Sequence, residues 1–304
     1  MQTGAHTLGR VREWELSAET FRRIAIASAV MLVVIMATGA TVRLTGSGLG
    51  CEHWPGCQEH HFEPRTYHSY VEFGNRVVAF LTIVATLVAW VAGRFAGVPR
   101  ALRRLAALTF LGTLAQAPMG AITIHYNLNP WLVLSHFLLS IVVLTLGVVL
   151  AVEASRIARG AATREPYLTR LGSIVVAVSA CVLIFSGTLA TASGKYPGSS
   201  GSTIVRRLFD FEHIVYWHVR ATAVFGISFA LLLIWLWRTQ SRHVRAALVV
   251  LGLLAVQMTV GEVQYRTELP WWLVLIHVTL AATVWASVVA FVYRLWRPPA
   301  TRVG

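Results

Sequence analysis

Lysine is almost absent: of 26 basic residues only Lys195 is a lysine, and the rest are arginine. Charge of any kind is scarce. Only 13% of the 304 residues are charged, where a soluble domain carries about a quarter. With 56% hydrophobic residues and a mean hydropathy of +0.63, this excludes an ordinary water-soluble domain. Most of the chain must face lipid or a lipid-buried core. No basic cluster interleaves with aromatics, so no nucleic-acid site is expected. The net charge of +13 is read instead as an orientation signal for a membrane chain. No cleavable signal is expected: the first 23 residues are polar and mixed in charge, and the apolar run that follows is long enough to span. The three cysteines, Cys51, Cys57 and Cys181, leave room for one bridge.

What the chain has in abundance is apolar runs of spanning length. Eight are expected near 24–43, 71–92, 104–124, 131–151, 171–191, 212–236, 246–264 and 272–293, each close to the ~20 residues that a bilayer requires. Arginine concentrates in the N-terminal tail, in the loops after spans 2, 4 and 6, and at the C-terminus. The positive-inside rule then puts both termini in the cytoplasm. Trp54, Trp131, Trp271 and Trp272 are expected at the outer interface.

One stretch occurs twice. Residues 116–136 read QAPMGAITIHYNLNPWLVLSH and residues 257–277 read QMTVGEVQYRTELPWWLVLIH. Without a gap, Gln116 matches Gln257, Gly120 matches Gly261, Trp131 matches Trp272, and His136 matches His277. The runs Gly39–Gly46 and Gly187–Gly194 also share their glycine spacing. The chain reads as a duplicated half. The expected fold is an all-α integral membrane protein, its eight transmembrane helices forming two pseudo-symmetric four-helix bundles. The expected division is a cytoplasmic tail over 1–23, an N-terminal half over 24–152, a linker over 153–170, a C-terminal half over 171–293 and a tail over 294–304.

Ionisable groups inside spans are costly and mark function by default. Span 2 opens with Glu72, Asn75 and Arg76, span 4 has His136, span 6 has His218 and Arg220, and span 8 has His277. His136 and His277 lie five residues past a tryptophan, about 7–8 Å along the helix axis. All the candidates fall in one layer of the outer half of the membrane. Facing histidines in a four-helix bundle commonly hold a haem iron; a packing role is the plain alternative for each one. Glu72 and Arg76, spaced i and i+4, share a helix face and can pair. The carboxylate is a candidate for proton transfer, and Arg43, Arg76 and Arg220 for meeting propionates. Cys51 and Cys57 fit either a disulfide or a metal site with nearby imidazoles from His60, His61 and His68. Cys181 is expected to be an inert buried thiol.

From about residue 24 to 293 the chain resembles the haem A synthase family in its bacterial, eight-span form. The resemblance rests on Thr45–Cys51 with Trp54, Pro55 and Cys57, on Glu72-x-x-x-Arg76, and on the Trp-Leu-Val blocks that lead to His136 and His277. It implies an enzyme of the bacterial cytoplasmic membrane that oxidises the C8 methyl of haem O to a formyl group. Two successive hydroxylations give a gem-diol, which loses water. It further implies haem b as cofactor on His218 and His277, and the substrate haem in the N-terminal half on His136, beside Asn75 and Arg76. Glu72 matches the family's catalytic carboxylate, and Cys51 and Cys57 match its outer cysteine pair. The implied partners are haem O synthase (protohaem farnesyltransferase) upstream, an unknown electron donor and the lipid bilayer. The family's span 2 pattern is Glu-x-x-His-Arg, and here Asn75 stands where that histidine would be. The competing readings are a membrane b-type cytochrome that relays electrons and a haem transporter.

Overall fold

The computed structural model describes residues 16–53, 56–57, 63–159, 165–199 and 208–296. Among them are eight helices: α1 (Ala18–Leu44), α2 (Tyr67–Phe95), α3 (Arg100–His125), α4 (Pro130–Arg159), α5 (Tyr167–Ser193), α6 (Phe211–Arg238), α7 (Val244–Arg266) and α8 (Trp271–Trp296). All eight are long and apolar enough to cross a membrane, which makes this a multi-pass membrane protein. At three helix starts a polar side chain closes the first turn. Ser17 accepts from the N–H of Thr20, Thr66 and Ser69 form a reciprocal capping box, and Asp210 accepts from the N–H of His213. Large side chains face outward along the helices; Phe80, Leu231 and Val249 are each more than 60% exposed. In water such a surface would aggregate, whereas against lipid tails it carries no penalty.

Helices α1–α4 close a ring in which α1 packs on α2, α2 on α3, α3 on α4 and α4 on α1. Helices α5–α8 close a second ring in the same order. No Cα of α2 comes within 8 Å of one in α4, nor any of α6 of one in α8. These two pairs stand diagonally across their rings. The rings meet along α1 and α4 against α8, and α4 against α5. There Leu32, Met36, Ile141, Leu144 and Ala282 share one buried cluster, and the indole of Trp285 donates to Thr145 at 2.9 Å.

The two repeated stretches end their first helix in the same way. Asn127 and Leu128 after α3, and Glu268 and Leu269 after α7, are all left-handed, with φ between 50° and 60°. The N–H of Leu128 returns to the carbonyl of Thr123, and that of Leu269 to Gln264. This is the wide closing bond of a Schellman turn. A leucine in this conformation is unfavourable and needs compensation. Leu128 finds it in burial: its side chain lies where a Cβ on Gly48 or Gly198 would stand, 3.0 and 3.1 Å away. Gly48 in turn donates its N–H to Gly198 at 2.8 Å. Arg43 adds bonds to the carbonyls of Thr191 and Tyr196, and the Tyr196 hydroxyl donates to Leu269. The loops at this end of the two rings are therefore stitched to each other.

Candidate functional site

Four glycines each face one of the candidate side chains. A Cβ on Gly39 would stand 3.9 Å from Asn75 Oδ1, and one on Gly120 would stand 3.7 Å from Cε1 of His136. On Gly187 and Gly261 it would stand 3.0 Å from Cε1 of His218 and of His277. Each glycine belongs to the helix that precedes its partner's helix. Asn75, His136, His218 and His277 thus all turn toward a helix side from which a Cβ has been removed. Asn75 and His136 come from the diagonal helices α2 and α4, and His218 and His277 from the diagonal helices α6 and α8.

The hydroxyl of Ser186 donates to the carbonyl of Leu183 at 2.8 Å and lies 3.0 Å from Nδ1 of His218. With that proton on Leu183, Ser186 accepts from His218, and Nδ1 carries the hydrogen while Nε2 keeps its lone pair. That is the tautomer a metal ligand needs, with the second nitrogen anchored. Gln257 lies 3.2 Å from Nε2 of His277 and donates to that residue's carbonyl at 3.1 Å. Buried polar atoms without a partner include Nδ1 of His136, Nδ1 of His277 and both amide atoms of Gln116. Such atoms are costly unless a ligand or water completes them. Three imidazoles, diagonal helices out of mutual contact, glycine-lined flanks and orphaned polar atoms suit a flat metal macrocycle in each ring.

The carboxylate end of the site is tightly built. Glu72 is only 3% exposed. Its Oε2 accepts from the backbone N–H of Cys51 at 2.9 Å, and its Oε1 from Nη2 of Arg76 at 2.6 Å. Arg76 Nη1 donates to the carbonyls of His53 and Gly56. Cys51 and Cys57 form a disulfide that closes this same loop, and both are buried. Glu72 and Arg76 therefore grip the bridged loop, and the loop fixes the carboxylate in return. No group of three or more His, Cys, Asp or Glu suited to a metal ion occurs among the described residues. His60 and His61 lie outside them.

Asn75 Oδ1 lies 2.7 Å from the Thr38 hydroxyl, which donates to it. His68, exposed, pairs through Nδ1 with Ser47 at 2.9 Å, and His125 is exposed at the end of α3. The arginines weighed for propionates differ in their engagement. Arg43 and Arg76 donate to backbone carbonyls, and Arg220 is exposed with its guanidinium over the ring of Tyr216. Cys181 corrects the expectation of burial: it is exposed on α5. On a membrane helix an apolar run has no obligatory inner face, so a small thiol can point to lipid. Sequence reasoning passed over Thr38 and Ser186, which look like ordinary helix hydroxyls. The shared glycine spacing was visible, but not what each glycine faces.

A family model described as "Cytochrome oxidase assembly protein", COX15-CtaA, matches residues 22–70 and 61–289. The chain belongs to this family. Among curated relatives, the "Heme A synthase" of Geobacillus kaustophilus (strain HTA426) is 30% identical over 109 residues, covering 34% of this chain and 33% of the relative. That of Geobacillus thermodenitrificans is 32% identical over 104 residues, again 34% and 33% of the two chains. That of Bacillus pumilus (strain SAFR-032) is 27% identical over 126 residues, 40% of each. The aligned segment thus spans about a third of the length of the first two relatives.

Proposed function

We propose that the protein is a haem A synthase, which oxidises the C8 methyl of haem O to a formyl group by two hydroxylations and loss of water. The observation that carries this reading is the buried Glu72, clamped between Arg76 and the N–H of Cys51, in the ring that also holds His136. A cytochrome that only relays electrons has no use for such a carboxylate beside a second ligand set. Family membership and the names of the relatives support the same reading.

In this reading His218 and His277 hold haem b in the C-terminal half, 171–293, and substrate haem O binds in the N-terminal half, 24–152, with His136 on its iron. The bound haem b supplies one-electron chemistry. Ser186 keeps the lone pair of His218 directed away from itself. Gly187 and Gly261 leave space beside the two imidazoles. Glu72 orients the reacting methyl group or takes up a proton at a carboxylate oxygen, and Arg76 holds that carboxylate in place. Asn75 is a poor iron ligand beside imidazole, so His136 would be the residue of this half that holds the substrate iron. Both termini lie in the cytoplasm of a bacterial cell, and the disulfide loop faces outward, where bridges persist. Haem O synthase is the upstream partner.

The test is a pigment extraction from cells that make haem O, with and without this protein. Haem A appearing only with the protein is the expected result. Bound haem b without any haem A would favour the electron-relay reading.

A further inference from the structure

At the end of α2 remote from Glu72, α2 stops and α3 begins around a cleft of about 390 Å³. Arg94 lies 22 residues along α2 from Glu72, about 33 Å at 1.5 Å per residue. The cleft is lined by Trp90, Arg94, Arg100, Arg103, Arg104 and Ala107. Four of these six carry guanidinium groups. Every ion pair among the described residues engages other arginines or His243, so none of the four has a carboxylate partner there.

Helix α3 adds to this positive field. Pro99 caps it without a side-chain bond, and its first turn holds no acidic residue. Its free N–H groups and the positive end of its dipole therefore face the place where the arginines gather. A helix start ordinarily attracts negative side chains; this one is surrounded by cations, with no acidic residue in its first turn.

The rim of the cleft decides what kind of anion fits. The ring of Trp90 lies under the Arg94 guanidinium, 5.1 Å from its centroid, and stacks on Phe110 at 5.3 Å. Nearby, Phe95, Leu108 and Leu111 are each more than half exposed. A cationic cleft at a helix end, bordered by outward-facing apolar side chains, matches a molecule with a charged head and hydrocarbon tails at the headgroup level of a bilayer. A free inorganic anion would leave the apolar border unused.

We propose that this cleft binds the phosphodiester headgroup of an anionic phospholipid, with Arg94, Arg100, Arg103 and Arg104 on the phosphate and the acyl chains along the exposed faces of α2 and α3. Guanidinium groups are suited to phosphate because their N–H donors form a planar fork.

The experiment is native mass spectrometry of the full chain in detergent. Phosphatidylglycerol is compared with phosphatidylcholine of the same acyl chains, and inorganic phosphate is added in a third arm. Phosphatidylglycerol is expected to bind more tightly than phosphatidylcholine and to resist displacement by phosphate. Arg100 and Arg104 are both exposed, so the double variant R100Q/R104Q should fold. It should lose about fivefold in phosphatidylglycerol affinity per arginine, with phosphatidylcholine unchanged. Arg94→Gln alone provides an independent, smaller loss should the double variant fold poorly. The control R238Q/R245Q removes the same charge from the adjoining ends of α6 and α7 and should change nothing. Equal binding of the two lipids overturns the proposal. So does an equal loss in the control, which would mean general surface attraction, and so does displacement by inorganic phosphate, which would mean a simple anion site.

Discussion

The backbone N–H of Cys51 donates to Oε2 of Glu72 across 21 positions of sequence, at 2.9 Å. The residue that forms the disulfide is therefore also the residue that fixes the carboxylate. Cutting the bridge frees the loop that holds Glu72 in place. Replacing Cys51 and Cys57 by serine should lower haem A output while leaving the C-terminal haem spectrum unchanged. In the unmodified protein, thiol labelling under denaturing conditions should find one cysteine before reduction, Cys181, and three after it. Three labelled at the start would remove the bridge.

Glu72→Gln keeps the shape and the bond from Cys51 but gives up the charge that meets Arg76. Haem binding should persist and formyl production should stop. Haem A at the unmodified level would reduce Glu72 to a structural partner of Arg76.

His218→Ala and His277→Ala should each lose the tightly held b-type haem, read from the low-spin absorption of the purified protein. Ser186→Ala should keep the fold and weaken haem retention by about 10–100-fold, the usual effect of removing a group that orients a metal-bound histidine. Full retention in this variant would show that the Ser186 bond does not set the tautomer.

Gly187→Ala introduces a Cβ 3.0 Å from Cε1 of His218, closer than ordinary carbon contacts of 3.5–4.0 Å. The ring must tilt, and the haem spectrum should shift or vanish. Gly226→Ala on α6, where a Cβ meets nothing within 4 Å, is the control and should leave the spectrum alone.

Asn75→His should turn the substrate haem low-spin with two imidazole ligands, seen by electron paramagnetic resonance of the ferric protein loaded with haem O. The unmodified chain should show one low-spin bis-histidine haem and one five-coordinate or water-ligated iron. Two bis-histidine haems at the outset would contradict this reading of span 2.

The eight helices were legible because a bilayer imposes a length that a run of apolar letters reveals directly. His136, His218 and His277 stood out in the sequence because an ionisable side chain inside such a run is rare. The matching half-sequences pointed to Gly120 and Gly261 without saying what they face. Ser186 and Thr38 were not legible: a hydroxyl in a membrane helix usually bonds its own helix, and Ser186 does so to Leu183 as well as reaching His218. Cys181 was misread because hydropathy does not separate a lipid-facing position from a protein-facing one. The expected outer placement of Trp54 lies outside the described residues.

Leu128 and Leu269 share a backbone conformation but not an occupation. Leu128 wedges its side chain between Gly48 and Gly198, whereas Leu269 offers its carbonyl to Tyr196. The two halves are thus not interchangeable parts. A chimera made of two N-terminal halves would supply the wedge twice, but not the Gly198 and Tyr196 of the second half's own loop. It would lack the seam that keeps the present pair in register, however well each copy folded.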